Sequence, residues 1–255
     1  MADRQAGARW VEVPPERLVR WVENFTHRHG PAVAEPGREV VVLRARDGAV
    51  AACHPPFPPL PQPRASEGEL TGQPREQELA GRPREEELAG LARESQPDPV
   101  QQAELMAAHA AAGRTVGVLL VRLGGYAVGV FTGDPPQLAA SKTGSRLVHG
   151  RAAAGGWSQH RFARRRDNQA TAALRAAADT ALAVLGQYEG RLDAVVLGGD
   201  RRTMAGVRAD PRLAPFIALA VERFLTVPDP RLTVLKDTAR LFRAIRIRLT
   251  EPGPP

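Results

Sequence analysis

Apolar positions first recur along this chain at helical spacing. In residues 14–29 (PPERLVRWVENFTHRH) Leu18, Trp21, Val22 and Phe25 lie three and four apart and Gly30 follows, which predicts an amphipathic helix with a glycine stop. The rhythm then shortens. Val40, Val41, Val42 and Leu43 predict a strand, Asp47-Gly48 a hairpin turn, and Ala49 to Cys53 the returning strand. After a gap the apolar signal resumes with a helix over 100–112, stopped by Gly113. Thr115–Arg122 (TVGVLLVR) and Tyr126–Phe131 (YAVGVF) then flank Gly124-Gly125, and a hairpin with so few polar residues predicts a buried, central place in a sheet. Arg146–His149 reads as a further short strand. Arg164–Leu185 reads as a helix with Ala173, Leu174, Ala177, Ala181, Leu182 and Leu185 on one side. Asp193–Leu197 predicts a strand ending in Gly198-Gly199-Asp200, with Asp200 as the N-cap of a following helix. Helices over 211–224 and 230–240 and an alternating strand over 241–249 complete the pattern. Strands interleaved with helices predict an α/β class, a mixed sheet flanked by helices.

The gap between the first hairpin and residue 100 has a character of its own. Residues 54–99 hold no Ile or Val, and nine acids against five bases give them a net −4. GQPREQELA at 72–80 is followed at once by GRPREEELA at 81–89, but two polar copies are too few for a solenoid. This Pro/Glu/Arg-rich stretch is expected to be a disordered insertion. The expected organisation is therefore residues 1–53 as a helix and hairpin belonging to the core, 54–99 as the insertion, 100–250 as the main core and 251–255 as a tail.

Composition alters this picture in one place. The chain of 255 residues carries a formal +7, yet its basic residues are almost all Arg, a bias that raises pI without functional meaning; clustering is the informative quantity. From Lys142 to Arg166 (KTGSRLVHGRAAAGGWSQHRFARRR) there are seven cations, namely Lys142, Arg146, Arg151, Arg161, Arg164, Arg165 and Arg166, and no acid. That one segment equals the net charge of the whole protein. Cys53 is the single cysteine, and HExxH, CxxC and clustered carboxylates are missing, so no disulfide framework, metal or other cofactor is expected. No apolar run reaches the roughly 18 residues of a membrane span and no secretory leader opens the chain, so a cytoplasmic protein away from membranes is expected.

The chemistry of the cationic segment centres on Gly155, Gly156, Trp157, Ser158 and Gln159. Two glycines give a flexible bend, and Gln159 is an uncharged amide that donates and accepts. Trp157, between glycines and a polar run, suits a tip that stacks on a base. His160 is a candidate general acid or base, and His149 a weaker one. Arg161, Arg164, Arg165 and Arg166 lie at a helix start, where cations oppose the macrodipole, a local cost that favours phosphate binding over a solvated face. Lys142, Arg146 and Arg151 extend the same patch. Together these residues suggest a catalytic finger working on RNA.

The run SKTGSRLVHGRAAAGGWSQHRFARRRDNQA, with LLVRLGGYAVGVF at 119–131 and LGGDRRTM at 197–204, resembles the release-factor-like peptidyl-tRNA hydrolases of actinobacteria, the VLRF family. These are relatives of the eukaryotic Vms protein and of the middle domain of eukaryotic class-one release factors. The opening helix and Asp-Gly hairpin fit too, so the resemblance covers most of the chain outside 54–99. It implies an RNase-H-like, release-factor-middle-domain-like fold and release of nascent chains from peptidyl-tRNA on stalled large ribosomal subunits. It implies that Gln159 corresponds to the glutamine of the release-factor GGQ, here separated from Gly156 by Trp157 and Ser158. Two bonds stay open, the peptidyl ester or a phosphodiester within the tRNA 3′ CCA end.

The function expected is thus a peptidyl-tRNA hydrolase of ribosome quality control, with Gly155, Gly156, Ser158, Gln159 and His160 at the chemistry. Lys142, Arg146, Arg151, Trp157, Arg161, Arg164, Arg165 and Arg166 would bind RNA. The expected partners are peptidyl-tRNA and large-subunit rRNA, and the protein is expected to act as a monomer. The alternative is a non-catalytic ribosome- or RNA-binding factor using the same arginines.

Overall fold

A computed structural model of the chain describes residues 8–61, 97–122, 124–145 and 159–252, with the backbone alone for 159–170. The chain divides into two compact units, one of residues 1–110 with 245–255, the other of residues 111–244. Where the sequence pattern predicts a single mixed sheet, the described residues form two sheets of five strands. Within residues 8–54, the four strands share one sheet with the C-terminal strand.

In the first unit, β1 (Ala8–Val13), β2 (Ala32–Glu35), β3 (Val41–Ala45), β4 (Val50–His54) and β10 (Ile245–Thr250) form an antiparallel sheet in the order β1-β10-β4-β3-β2. Helix α1 (Pro15–His29) buries Leu18, Val22 and Phe25, the stripe expected from spacing, and α2 (Pro99–Ala111) buries Ala103, Met106 and Ala110. Both helices pack on the inward positions of the strands, Val41, Leu43, Ala51, Cys53, Ile245, Ile247 and Leu249. Full burial of side chains such as Leu18 and Val22 contributes roughly 1.5–3 kcal/mol each. At the end of α1 the nearly buried His29 sets Nδ1 2.8 Å from Asp47 Oδ2 in the β3–β4 hairpin and Nε2 3.5 Å from Glu251 Oε2 beyond β10. The ring thereby ties together three segments far apart in sequence.

The second unit has the order β7-β6-β5-β8-β9, built from β5 (Val116–Arg122), β6 (Gly125–Thr132), β7 (Gln137–Ser145), β8 (Ala194–Gly199) and β9 (Ala220–Leu225). β5 pairs antiparallel with β6 and parallel with β8, and β8 pairs parallel with β9, so this sheet is mixed as expected. One face packs on α3 (Gln159–Leu185) through Ala177, Ala178, Ala181, Val184 and Leu185, and on α4 (Arg201–Arg208) through Met204 and Val207. Phe242 of α6 (Leu232–Arg243) meets Phe131 edge-on at 5.5 Å. The apolar runs of β5 and β8 are buried along their length, which is why they read as continuous rather than alternating.

Several elements depart from the sequence pattern. A helix predicted over 211–224 is a short α5 (Ala214–Ala218) followed by β9. Ile217, Val221, Phe224 and Leu225 suit either period, and the open edge of β8, with buried backbone groups needing partners, decides for a strand. β1, β2 and β7 were not predicted. β7 (QLAASKTGS) is an edge strand, half polar and mostly exposed, with no alternation to announce it. α3 begins at Gln159, five residues before its predicted start. The strand predicted over 146–149 lies outside the described residues, as do residues 62–96 of the insertion and 253–255 of the tail.

Gly199 offers a test of the β5–β8 contact. Its φ is +106°, and a Cβ there would stand 2.0 Å from the carbonyl oxygen of Val121. Gly190 also has positive φ, +73°, but faces open space. Urea denaturation should show Gly199→Ala losing more than about 2 kcal/mol, and Gly190→Ala about 1–2 kcal/mol. Equal losses at the two positions would remove the steric argument.

Candidate functional site

The described part of the site lies at the C-terminal ends of parallel β5 and β8, where ligands of open α/β sheets bind. β5 ends in Arg122 and turns through Gly124 into β6; β8 ends in Gly198-Gly199 and passes into α4 at Asp200. Between them opens a cleft of about 530 Å³. Val121, Tyr126, Ala173 and Leu174 supply apolar wall, and Arg122, Asp200, Arg202, Thr203 and Asp229 supply charge and hydroxyl.

Asp200, Thr203, Arg122 and Tyr126 in the cleft are each held by a local interaction. Asp200 caps α4 as the sequence predicted: its Oδ1 accepts the Thr203 N–H and the Thr203 hydroxyl, both at 2.7 Å. These two bonds hold its carboxyl below the usual aspartate range, and the charges of Arg122 and Arg202 act in the same direction. Arg122 donates from Nη1 to the Val227 carbonyl at 2.8 Å, with Nε 3.8 Å from Asp229 Oδ1. Arg201, beside the cleft, stacks 4.5 Å over the Phe224 ring. Tyr126 lies across Gly144 of β7, where a Cβ would come within 2.3 Å of its ring, and its hydroxyl accepts from Thr180 of α3 at 3.2 Å. Arginines beside carboxylates and a half-buried aromatic suit a ribonucleotide, with phosphate on guanidinium and ribose hydroxyls on carboxylate.

β7, which carries Lys142, finishes at this same end of the sheet. Ser145, the last residue of β7, pairs with Gly125, the first of β6. Residues 146–158 connect it to α3, so Arg146, His149, Arg151, Gly155, Gly156, Trp157 and Ser158 lie outside the described residues. Lys142 is exposed on β7 opposite Val128. Gln159 and His160, expected before the helix, are its first two residues, and Arg161, Arg164, Arg165 and Arg166 follow within the next two turns. Leu174 packs against Gly206 of α4 and lines the cleft with Ala173, while Leu185 reaches Gly117 near the start of β5. From Ala173 back to Gln159 the helix runs on for about 21 Å at 1.5 Å per residue. The first turn contains no acid.

The sequence pattern marks Asp200 as a cap and gives no role to Arg122, Tyr126 or Asp229. Arg122 carried a signal, a lone charge ending an apolar run before two glycines. Asp229 carried none, because it comes from the β9–α6 connection. Among the described residues no group of His, Cys, Asp and Glu is arranged to hold a metal, and no helix is long and apolar enough to cross a membrane.

Asp200 gives a pH test. Its folded pKa is depressed, so the stability it adds is present above the unfolded value of about 4 and is lost as pH falls through the folded value. Asp200→Ala should therefore be less stable than the natural protein at neutral pH, with the gap in urea midpoint closing in acid. A gap independent of pH would show that the ionised cap is not its source.

The family described as the Actinobacteria/chloroflexi VLRF1 release factor matches residues 114–248. A comparison with curated proteins finds no match. Among solved structures, an archaeal translation termination factor, aRF1, aligns with a TM-score of 0.36 at 13% identity, covering 48% of this chain and 32% of its own. The Vms1 mitochondrial localization core aligns with a TM-score of 0.34 at 11% identity over 92% of this chain and 82% of its own. The chain thus spans about a third of the archaeal factor's length. The family match takes in β5 through most of β10, with the cleft and the whole cationic segment inside it, and the chain belongs to the Actinobacteria/chloroflexi VLRF1 release factor family.

Proposed function

We propose that this protein is a peptidyl-tRNA hydrolase that frees nascent chains held on the large ribosomal subunit, with residues 155–166 as the reactive finger on an RNase-H-like core. The observation that carries the reading is the place of the acid-free segment. It lies within the matched family region, and α3, which carries four of its arginines, runs on beyond a cleft suited to a ribonucleotide. Arg161 and Arg164–Arg166, with Lys142, Arg146 and Arg151, hold RNA phosphates, and Trp157 stacks on a terminal base. Gln159 orients the attacking water. Water adds to the ester carbonyl, the developing oxyanion takes backbone N–H donors of Gly155 and Gly156, and the ribose oxygen leaves with a proton. Ser158 and His160 border this step, His160 as the proton carrier. Placed instead against a ribose 2′-hydroxyl, the same amide would favour a cut within the CCA end. The protein acts in the cytoplasm as a monomer.

Labelled peptidyl-tRNA on isolated large subunits tests this with the natural protein and Gln159→Ala. Release by the natural protein that falls at least tenfold in the variant, with an intact CCA end on the product, is expected. A tRNA shortened within CCA would assign phosphodiester cleavage, and equal release by both proteins would leave Gln159 without a chemical role. No release by either would leave a binding factor. Replacing Arg164, Arg165 and Arg166 together by Ala should lower the salt slope of RNA binding by about 2–3.

A further inference from the structure

The outward face of the first unit's sheet is built for something other than packing. Strand pairing puts Trp10 beside Arg248 and Glu12 beside Arg246 on β1 and β10, and Arg246 beside His54 on β10 and β4. These positions alternate with Val11, Ile245, Ile247, Leu249 and Cys53, the residues that meet the helices, so Trp10, His54, Arg246 and Arg248 share the opposite face. Trp10 is 51% exposed, the most exposed of the large hydrophobic side chains among the described residues. The Arg246 guanidinium lies 4.3 Å over one side of its indole, and the His54 ring is 5.2 Å away, tilted by 49°. An indole left half in water forfeits the burial that the rest of this sheet achieves, and a guanidinium stacked on it supplies charge beside an open aromatic surface.

We propose that this face binds unpaired nucleotides of RNA, a base stacking on Trp10 with its phosphates drawn to Arg246 and Arg248. Three observations select that occupant. An exposed aromatic on an open sheet offers the flat surface that every base can use, irrespective of sequence. The guanidinium against the indole fixes its plane while remaining available to a phosphate. Across β1, β10 and β4 the outward positions carry two arginines and an imidazole against one carboxylate, Glu12, a balance that suits a polyanion. The site belongs to a different unit from the cationic finger, and Trp10 lies outside the matched family region. It goes beyond the release reading and does not depend on it.

Fluorescence anisotropy with short labelled oligouridylate and oligoadenylate tests this on the full chain. Trp10→Ala should weaken both probes by roughly 5- to 150-fold, the range of one base–aromatic stack, with thermal unfolding unchanged. Trp10→Phe should recover most of the loss, and Arg248→Glu should weaken binding and flatten its salt dependence. The Trp10→Ala loss should appear by the same factor in a background with Arg164, Arg165 and Arg166 replaced by Ala, which separates this face from the finger. If Trp10→Ala binds both probes as the natural protein does, or if Arg248→Glu leaves the salt slope intact, the proposal fails. Should Trp10→Ala lose its fold, the Trp10→Phe and Arg248→Glu results decide alone. Loss of peptide release in Gln159→Ala leaves these expectations untouched, and their failure leaves the release reading untouched.

Discussion

Parallel β5 and β8 lie so close at their C-terminal ends that a Cβ on Gly199 would stand 2.0 Å from the Val121 carbonyl oxygen. The same carbonyl accepts the Asp200 N–H at 2.8 Å. Gly198 is as confined, with the Leu225 carbonyl 2.7 Å from where its Cβ would be. Two successive residues without side chains let three strands converge, and the chain then turns directly into a capped helix. The cleft is the consequence. Its walls are the side chains that ring this convergence, and its charges come from the last residue of β5, the start of α4 and the β9–α6 connection. A larger residue at Gly199 would force β5 from β8, and one at Gly198 would force β9 from β8, so the placement of Arg122 and Asp200 depends on a packing constraint.

The elements legible in sequence are those whose pattern is set locally. α1 declared itself by the spacing of Leu18, Val22 and Phe25, the β5–β6 pair by unbroken apolar runs around two glycines, and Asp200 as a cap by its place after a strand. The elements that were not legible owe their structure to distant partners. β1 is a strand because β10, more than two hundred residues later, gives it hydrogen-bonding partners at Ala8–Thr250 through Val13–Ile245. β9 has apolar positions compatible with a helix and becomes a strand because β8 would otherwise have an unpaired edge. The division into two units was hidden for the same reason, since it is β10 that joins the ends of the chain into one sheet. For the site, the cationic segment was conspicuous in composition, whereas the cleft was not, because it forms from one to three residues each of β5, β6, α3, α4 and the β9–α6 connection.

The starting position of α3 bears on how the cations work. A helix beginning at Gln159 has the positive end of its macrodipole in its first turn, and four arginines follow within eight residues. Ordinary helices offset that end with an acid; here none is present. Cations at that end oppose the macrodipole, and an anion at the same place would relieve the cost. The apolar positions from Ala177 to Leu185 anchor the helix to the sheet. The long helix divides its work accordingly: its C-terminal half is held by burial, and its N-terminal half carries a charge imbalance that a polyanion would satisfy.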